Sequence, residues 1–576
     1  MVTGFIIEKL GVLPISELSI IFQIGLMIVF AGIFAFIFKL LKQPRILAYI
    51  VAGIILGPLV LGIIESNETI LALSEIGVAF LLFFAGLEIH LDSLKKVGKS
   101  SIFIGLFEVT IMVIISLAIF SAFSKTNIEL LYIALVVALS STMIVIKSLS
   151  DRDQLRTLHG RMIVSILLIQ DIIAITALAM LTDTVNLNAA LISLGKASLF
   201  IVFAIILAKV AKPIFRISAK SNELILIITL SFLFLFSLSA YSFGLSIAIG
   251  SFFAGVALAN STYKTEIKGR VHSLRDFFGA ILFVSLGVQL TIISSNQINF
   301  LIILIALIMI IKPLLIVMLT RIGGYTDRTA FLTGNYMGQS SEFSLILITQ
   351  GLILGQITNE FFSVLVFATI ISMSLTGYVI SFEKGLYHKY SKFSRLLKKV
   401  PANNEMLVYG LNKKRKKIIL FGCHRMGSMF LKKYKGDKNE LLVIDFNPEI
   451  IKYLMKKKIP CLYGDYGNPE VFETLKFLNP EIVLSTIPSK EENINIIKMV
   501  KTNNQNNIVV VVAESIHDAI ELYHKGADYV VVPKVVSGEG IFDIISALKK
   551  DKDAVKKKEI NQLKKAHHYL FNPDKK

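Results

Sequence analysis

Long apolar stretches, separated by short polar loops, run along the chain to about residue 382. A helix of roughly 20 apolar residues crosses the hydrocarbon core of a bilayer, so we predict thirteen transmembrane spans. Their approximate bounds are 18–40, 44–63, 69–88, 100–123, 128–149, 160–182, 189–211, 222–241, 244–260, 272–292, 298–320, 328–354 and 360–381. Six spans on each side of the seventh suggest an inverted repeat, a common plan in secondary transporters.

Lysine and arginine are concentrated in every second loop. One such loop holds Lys95, Lys96 and Lys99, whereas the intervening loops together hold only Lys125. Positively charged loops stay in the cytoplasm, which places the N-terminus outside and the C-terminal part inside. The chain is 54% hydrophobic and 18% charged. We therefore predict a multi-pass protein of the plasma membrane, with lipid as a partner. The net charge of +19 follows membrane topology, so no nucleic-acid partner is expected.

The sixth predicted span carries Gln170 and Asp171 at its midpoint. An ionised carboxylate inside a bilayer costs several kcal/mol on insertion scales, and such residues commonly mark ion or proton pathways. One interpretation is a buried Asp171 that is hydrogen-bonded or paired to a neighbouring helix. The other, which we favour, is a carboxylate that binds a cation or a proton in a cavity inside the helix bundle.

Spans five and twelve occupy matching positions in the two halves and are both polar at their centres. Span five contains Ser140, Ser141 and Thr142, and span twelve contains the segment 335–342 with Gln339 and Glu342. Interrupted spans at corresponding positions point to a transporter's binding site. The alternative is that small hydroxyl residues simply allow close helix packing.

Two further ionisable residues, Lys312 and Glu108, fall inside predicted spans. Lys312 in span eleven could extend toward the membrane surface, but its depth favours an internal partner. Glu108 occupies the equivalent place in the other half, and a Glu108–Lys312 pair is a hypothesis. We expect Glu342 to satisfy backbone donors where span twelve unwinds, and Gln339 to line the ion route.

Beyond residue 382 the pattern becomes that of a soluble domain. Residues 383–415 are basic, and their composition predicts an irregular juxtamembrane linker that faces anionic lipid. Six short apolar strands then alternate with amphipathic stretches over 416–548, which predicts a parallel, Rossmann-like α/β sheet. The remaining residues, 549–576, form a charged tail to which we assign no function. Both cysteines, Cys423 and Cys461, lie in the α/β segment 416–548, so no disulfide framework is implied.

A strand, a glycine turn and a helix at 418–433 match the context of a dinucleotide-binding motif. Gly422 and Gly427 fit the outer glycines of GxGxxG, whereas His424 replaces the middle one. The helix start would favour an anion, and Asp445 at the end of the next strand would accept hydrogen bonds from ribose hydroxyls. The candidate ligand residues are Gly422, His424, Arg425, Met426, Gly427, Asp445 and Asp465. NAD(H) and an adenine nucleotide (AMP or ATP) stay open, as does a degenerate domain kept for dimer contacts.

Taken together, these segments resemble the Kef-type branch of the monovalent cation:proton antiporter-2 family, with a C-terminal potassium-transport nucleotide-binding (RCK/KTN, TrkA-N-like) domain. The resemblance rests on FLLFFAGLEIHLDSLKK (80–96), ALSSTMIVIKSL (138–149), LLIQDIIAI (167–175), LFVSLGVQL (282–290), GQSSEF (338–343) and FGCHRMG (421–427) with VIDFNPE (443–449). It implies thirteen helices in two inverted repeats, unwound helices that cross at an acidic site, a homodimer and elevator-like alternating access.

Carried over by position, the resemblance implies that Asp171 alternately binds cation and proton, with Ser141, Thr142 and Gln170 as oxygen ligands of the cation. Gln170 stands where electrogenic relatives have a second aspartate. Together with the single carboxylate, this implies electroneutral exchange of one cation for one proton. The Gln-Asp pair resembles potassium-linked members. Lys312 resembles the family's span-eleven cation, whose usual partner is absent at position 170.

We therefore predict a secondary transporter, not an enzyme, that exchanges K⁺ or Na⁺ for H⁺ under control of a cytoplasmic nucleotide-binding domain. A ligand-gated potassium channel is the first alternative, but a TVGYG-type filter is absent from the sequence. A membrane oxidoreductase is less favoured, because the spans contain no candidate redox cysteines.

Overall fold

The computed structural model comprises a helical unit and a unit built on a β-sheet. The first takes in residues up to 400 apart from the short segments 153–161 and 324–328, which group with the second. The residues that the structure describes are 20–41, 43–64, 68–88, 99–121, 126–152, 154–155, 157–180, 195–196, 200, 207, 213–218, 221–259, 261, 263–396, 408–411, 416–424, 426–464, 478, 480–550 and 556.

The helices of the first unit follow the apolar segments of the sequence. They are α1 (Ile20–Leu40), α2 (Arg45–Leu56), α3 (Glu68–Glu88), α4 (Lys99–Phe120), α5 (Asn127–Ala138), α6 (Thr142–Asp151), α7 (Leu158–Met180), α8 (Asn222–Ser242), α9 (Ile247–Ala259), α10 (Lys264–Val288), α11 (Ser295–Ala306), α12 (Lys312–Ile322), α13 (Asp327–Tyr336), α14 (Glu342–Ile353), α15 (Asn359–Ser381) and α16 (Glu383–Leu396).

Twelve predicted spans overlap a helix or a pair of helices among the described residues. The seventh, 189–211, lies almost wholly outside the described residues. Within the described part of the chain, nine helical segments are long and apolar enough to cross a membrane, and three shorter apolar helices accompany them. Two of the nine, Asn127–Asp151 and Gln297–Ile322, each combine two of the helices named above. A helical membrane domain is therefore confirmed, whereas the count of thirteen and the inverted repeat stay predictions.

Glycine pairs bring two sets of helices into backbone contact. A Cβ on Gly255 of α9 would lie 2.0 Å from the carbonyl oxygen of Phe83 in α3, and one on Gly287 of α10 would lie 2.2 Å from that of Ile50 in α2. Lipid chains are as apolar as the side chains, so packing at small residues contributes much of the attraction between membrane helices. These contacts stabilise α2, α3, α9 and α10 as one packed group.

A π-helical turn, Leu307–Ile311, joins α11 to α12, and Lys312 follows it directly. The Lys312 N–H bonds to the carbonyl of Leu307, five residues back. Pro313 follows directly and cannot donate a backbone hydrogen bond, which explains why the regular helical pattern is interrupted there. The irregular turn sets the direction in which the Lys312 side chain leaves its helix.

The second unit contains a seven-stranded sheet in the order β1-β4-β3-β2-β5-β6-β7. The strands are β1 (Val408–Tyr409), β2 (Ile418–Phe421), β3 (Leu441–Asp445), β4 (Cys461–Tyr463), β5 (Ile482–Ser485), β6 (Ile508–Val512) and β7 (Tyr529–Val531). Its helices are α17 (Met426–Lys433), α18 (Pro448–Lys456), α19 (Lys490–Asn503), α20 (Ile516–His524) and α21 (Pro533–Lys550).

Strands β2 to β7 are parallel, as predicted, and chain order reverses between β2 and β5. That reversal is the switch point at which doubly wound sheets bind ligands, beyond the carboxyl ends of the strands. Side chains of β2 alternate between two buried clusters: Ile419 and Phe421 pack on one face, and Leu420 packs on the other. A Rossmann-like sheet is thus confirmed.

The predicted irregular linker is more ordered than expected. Residues 383–396 form α16, whose Tyr387 and Tyr390 rings pack 5.4 and 5.1 Å from the ring of Phe331. Aromatic packing fixes this amphipathic segment as a helix. Strand β1 pairs antiparallel with β4 at the sheet edge, although it falls inside the predicted linker. The tail 549–576 lies outside the described residues except for 549–550, where α21 ends, and 556.

Candidate functional site

Span five is broken into α5 and α6 by a short extended segment at residues 139–141. Leu139 and Ser141 have extended backbone angles, and the Ser141 hydroxyl accepts a hydrogen bond from the Ile144 amide at 3.2 Å. Serine side chains offer the backbone an alternative to helical hydrogen bonds, so a serine pair at mid-span favours both the interruption and a new helix start.

Span twelve is broken in the same way between α13 and α14. Residues 337–341 are non-helical, and the Ser341 hydroxyl accepts from the Phe343 amide at 3.1 Å. Both predicted interruptions are therefore present. Non-helical backbone at this depth is tolerated where protein surrounds it or a cavity adjoins it, because lipid cannot satisfy its polar groups.

Side chains tie the two breaks to each other. The Ser140 hydroxyl donates to the Met337 carbonyl at 3.1 Å, and the Ser340 hydroxyl donates to the Val136 carbonyl at 2.7 Å. The buried Lys312 ammonium donates to a carbonyl in each break, Leu139 at 2.8 Å and Gln339 at 3.0 Å. Backbone carbonyls in and beside both breaks are thus satisfied by side chains of the opposite break and by Lys312.

Asp171 lies beside the first break. The Thr142 hydroxyl, at the start of α6, is 3.1 and 3.0 Å from its two carboxylate oxygens. Among the described residues, no other side chain hydrogen-bonds this carboxylate, and the Asp171 side chain is partly exposed rather than sealed. The carboxylate therefore keeps lone pairs free for a further partner.

Glu342 continues the line of oxygen-bearing groups. Its Oε1 atom accepts from the Ser141 hydroxyl at 2.6 Å, and Glu342 is near enough to Asp171 to interact with it electrostatically. The expectation that Glu342 serves the unwound region is consistent with this contact, although the donor is a side chain of the first break. Asp171, Thr142, Ser141 and Glu342 together present oxygen atoms from both broken spans.

Two predicted residues take other positions. The Gln170 amide is turned away from Asp171: its oxygen accepts from the Ser140 amide at 3.0 Å and its nitrogen donates to Glu108 at 2.7 Å. The Gln339 side chain is fully buried, and neither end of its amide has a hydrogen-bond partner in the described part of the chain. Buried amides normally find partners, so Gln339 marks a polar spot at the second break.

The nucleotide turn of the sheet domain depends on its two outer glycines. Gly422 has a φ of +80°, and a Cβ on Gly427 would lie 1.9 Å from the Gly422 carbonyl oxygen. Helix α17 can therefore start against the turn only with glycine at 427. Thr486, which follows β5, donates to the Gly422 carbonyl at 3.0 Å, a contact that no motif in the sequence indicates.

Asp445 ends β3 beside this turn. Its two oxygens accept from the backbone amides of Cys423 at 2.6 Å and Asn447 at 2.7 Å, and the residue is 2% exposed. Burial raises the pKa of Asp445 to about 6, although the two amides act against that shift. His424 is half-buried in the turn, and Met426 is exposed at the start of α17. Arg425 and Asp465 lie outside the described residues.

Comparison with known families adds to this geometry. The model of the transmembrane sodium/hydrogen exchanger family matches residues 25–382. The chain belongs to the sodium/hydrogen exchanger family. A TrkA-N domain model matches residues 418–533. The resemblance to Kef-type antiporters with a C-terminal TrkA-N domain is thereby confirmed, and the chain is a cation/proton antiporter-family protein.

The chain is also similar to individual curated proteins and to a solved structure. The chain is 27% identical over 373 residues to K(+) efflux antiporter 5 of Arabidopsis thaliana, covering 62% of this chain and 66% of that protein. It is 24% identical over 495 residues to the glutathione-regulated potassium-efflux system protein KefC of Escherichia coli (strain K12), covering 84% and 78%. The sodium proton antiporter MjNhaP1 of Methanocaldococcus jannaschii aligns at a TM-score of 0.48 and 19% identity, over 63% and 95% of the chains.

Proposed function

We propose that the protein exchanges K⁺ for H⁺ across the plasma membrane, with Na⁺ as the alternative cation. The observation that carries this proposal is the Asp171 carboxylate, partly exposed and hydrogen-bonded to Thr142 at the junction of two interlocked helix breaks. Lipid would not tolerate that group, and a packed structural role would give it more than one hydroxyl partner.

Exchange follows from competition for one carboxylate. A proton on Asp171 removes the negative charge that attracts a cation, and a bound cation excludes the proton. Hard monovalent cations prefer oxygen ligands, which Asp171, Thr142 and Ser141 supply. Lys312 stabilises both unwound segments through their carbonyls, so the ligand oxygens stay in place while the carboxylate changes partners.

The residue before Asp171 bears on the stoichiometry of exchange, and the relatives bear on the choice of cation. Gln170 carries no charge, so Asp171 alone exchanges one proton for one cation and the cycle moves no net charge. The names of the two relatives, an efflux antiporter for K⁺ and a potassium-efflux system, favour potassium. We further propose a homodimer with its N-terminus outside and its C-terminal domain in the cytoplasm.

The sheet domain fits a regulatory nucleotide. Its glycine turn lies at the switch point, and the close approach of Gly427 to Gly422 leaves no room for a side chain. NAD(H), or AMP or ATP, would place a phosphate at the start of α17 and a ribose near Asp445. Gly422, His424, Met426 and Gly427 would border the phosphate, whereas Arg425 and Asp465 stay candidate ligand residues from the sequence alone.

Purified full-length protein in proteoliposomes tests the function. A K⁺ or Na⁺ pulse should change the luminal pH, measured with a trapped dye, without electrical current. Current that follows the cation gradient would instead indicate a channel. Absence of both cation-dependent pH change and current would contradict transport altogether.

A further inference from the structure

Glu108 is a carboxylate enclosed entirely by protein in the middle of α4. It is 0% exposed, and its Oε2 atom accepts a hydrogen bond from the Gln170 amide nitrogen at 2.7 Å. Its Oε1 atom has no hydrogen-bond partner among the residues that the structure describes. A buried charge without compensation is strongly destabilising, so the position of this group needs an explanation.

The contact with Glu108 determines which way the neighbouring amide points. An ionised carboxylate only accepts hydrogen bonds, so the Gln170 nitrogen must face it. That nitrogen also reaches the Ala138 carbonyl at 3.2 Å, and the amide oxygen then faces the Ser140 N–H at 3.0 Å. Gln170 thereby joins α4 to the first helix break, and both ends of its amide are in use.

The compensating charge is Lys312. Helix α4 packs against α12, and Lys312 and Glu108 interact electrostatically, yet no ion pair of 4.0 Å or less joins them in the described residues. The Lys312 ammonium instead binds the carbonyls of Leu139 and Gln339. The two charges therefore balance each other across the Gln170 amide and the backbone of the break.

We propose that Glu108 is the counter-charge and positioning residue of the cation site. This inference rests on the proposed function. Glu108 balances Lys312 and fixes Gln170 as a strut of the first break, so Lys312 and Glu108 keep their charges while Asp171 changes its own during exchange. A carboxylate on α4 thus takes the place of the acid that position 170 lacks, and Gln170 supports the site rather than binding the cation.

Transport kinetics test the inference by removing or keeping the charge at position 108. Glu108→Gln keeps the size of the side chain but leaves Lys312 uncompensated beside the site, so the KM for the cation should rise at least tenfold with a smaller change in maximal rate. Glu108→Asp keeps a carboxylate at the same helix position and should bring the KM to within about threefold of wild type.

Ser116→Ala is the matched control. Ser116 lies on the same helix, is equally buried and, among the described residues, hydrogen-bonds only the Met112 carbonyl of its own helix. The KM of the Ser116→Ala variant should therefore stay at the wild-type value. A Glu108→Gln variant with a wild-type KM would overturn the inference. So would a Glu108→Asp variant with a KM as high as that of Glu108→Gln, or one that misfolds as Glu108→Gln does.

A measurement without transport separates this inference from the proposed function. In a double-mutant cycle of thermal stability, Glu108→Gln and Lys312→Met each leave one buried charge alone, whereas the double variant removes both. The double variant should melt above the temperature that adding the two single losses predicts. Additive losses would refute the charge balance, whether or not the wild-type protein exchanges cations for protons.

Discussion

Replacing Thr142 by valine removes one hydroxyl from the proposed cation site and leaves the shape of the side chain intact. In the structure this hydroxyl is 3.0 and 3.1 Å from the Asp171 oxygens, and it belongs to the first residue of α6. A hydrogen bond to a charged group contributes roughly 1.5–3 kcal/mol. Asp171 is partly exposed, so the lower value, about 1.5 kcal/mol, is appropriate, and it corresponds to about a tenfold weaker site.

The assay is the cation dependence of proton movement in proteoliposomes. Thr142→Val should raise the KM for the cation about tenfold, because the cation loses an oxygen ligand and the carboxylate loses the group that orients it. Thr142→Ser keeps the hydroxyl and is the control, with a KM expected near that of wild type. A valine variant within about twofold of wild type would refute the view that this hydroxyl serves the site.

Three further predictions concern the sheet domain and the second break. Binding of NAD⁺ to the full-length protein should weaken about tenfold from pH 7.5 to pH 5, because protonation of a carboxyl with a pKa of about 6 removes its charge and weakens it as an acceptor. Asp445→Asn should remove this dependence, and an unchanged pH profile of the wild-type protein would contradict the prediction. Gly427→Ala should abolish nucleotide binding, since its Cβ would lie 1.9 Å from a carbonyl oxygen, whereas Gly538→Ala, with nothing within 4 Å, should bind as wild type. Ser340→Ala loses its bond to the Val136 carbonyl and should cost about 1 kcal/mol, seen as a lower melting temperature in nanodiscs; an unchanged melting temperature would count against the cross-link between breaks.

The positions of both helix breaks could be predicted because polar residues interrupt an otherwise apolar span at each of them. Ser140, Ser141 and the segment 338–342 place small polar residues where an apolar span should be continuous. Unwinding is the local structure that satisfies them, and the structure contains it at both places. The alternation of strands and helices in 416–548 was equally readable, because buried parallel strands are short continuous apolar runs.

The partners of Gln170 could not be predicted. An amide donates and accepts equally well, so its orientation depends on what lies opposite in three dimensions, here Glu108 and Ser140. Strand β1 was also missed, since two residues inside a basic segment give no periodic signal and pair only because β4 offers a free edge. The helix at 383–396 was not predicted because the segment is rich in charged residues. Its Tyr387 and Tyr390 rings pack on Phe331, a contact that the sequence does not reveal.

The most direct measurement of the central claim is cation-for-proton exchange by Asp171→Asn in proteoliposomes. Asparagine keeps the size and the contact with Thr142 but cannot take up a proton or carry the charge that attracts a cation. The variant should show no cation-dependent change of luminal pH above that of empty liposomes, with either K⁺ or Na⁺, while remaining monodisperse and thermally stable. Exchange at the wild-type rate and KM would contradict the proposal that this carboxylate carries both ions.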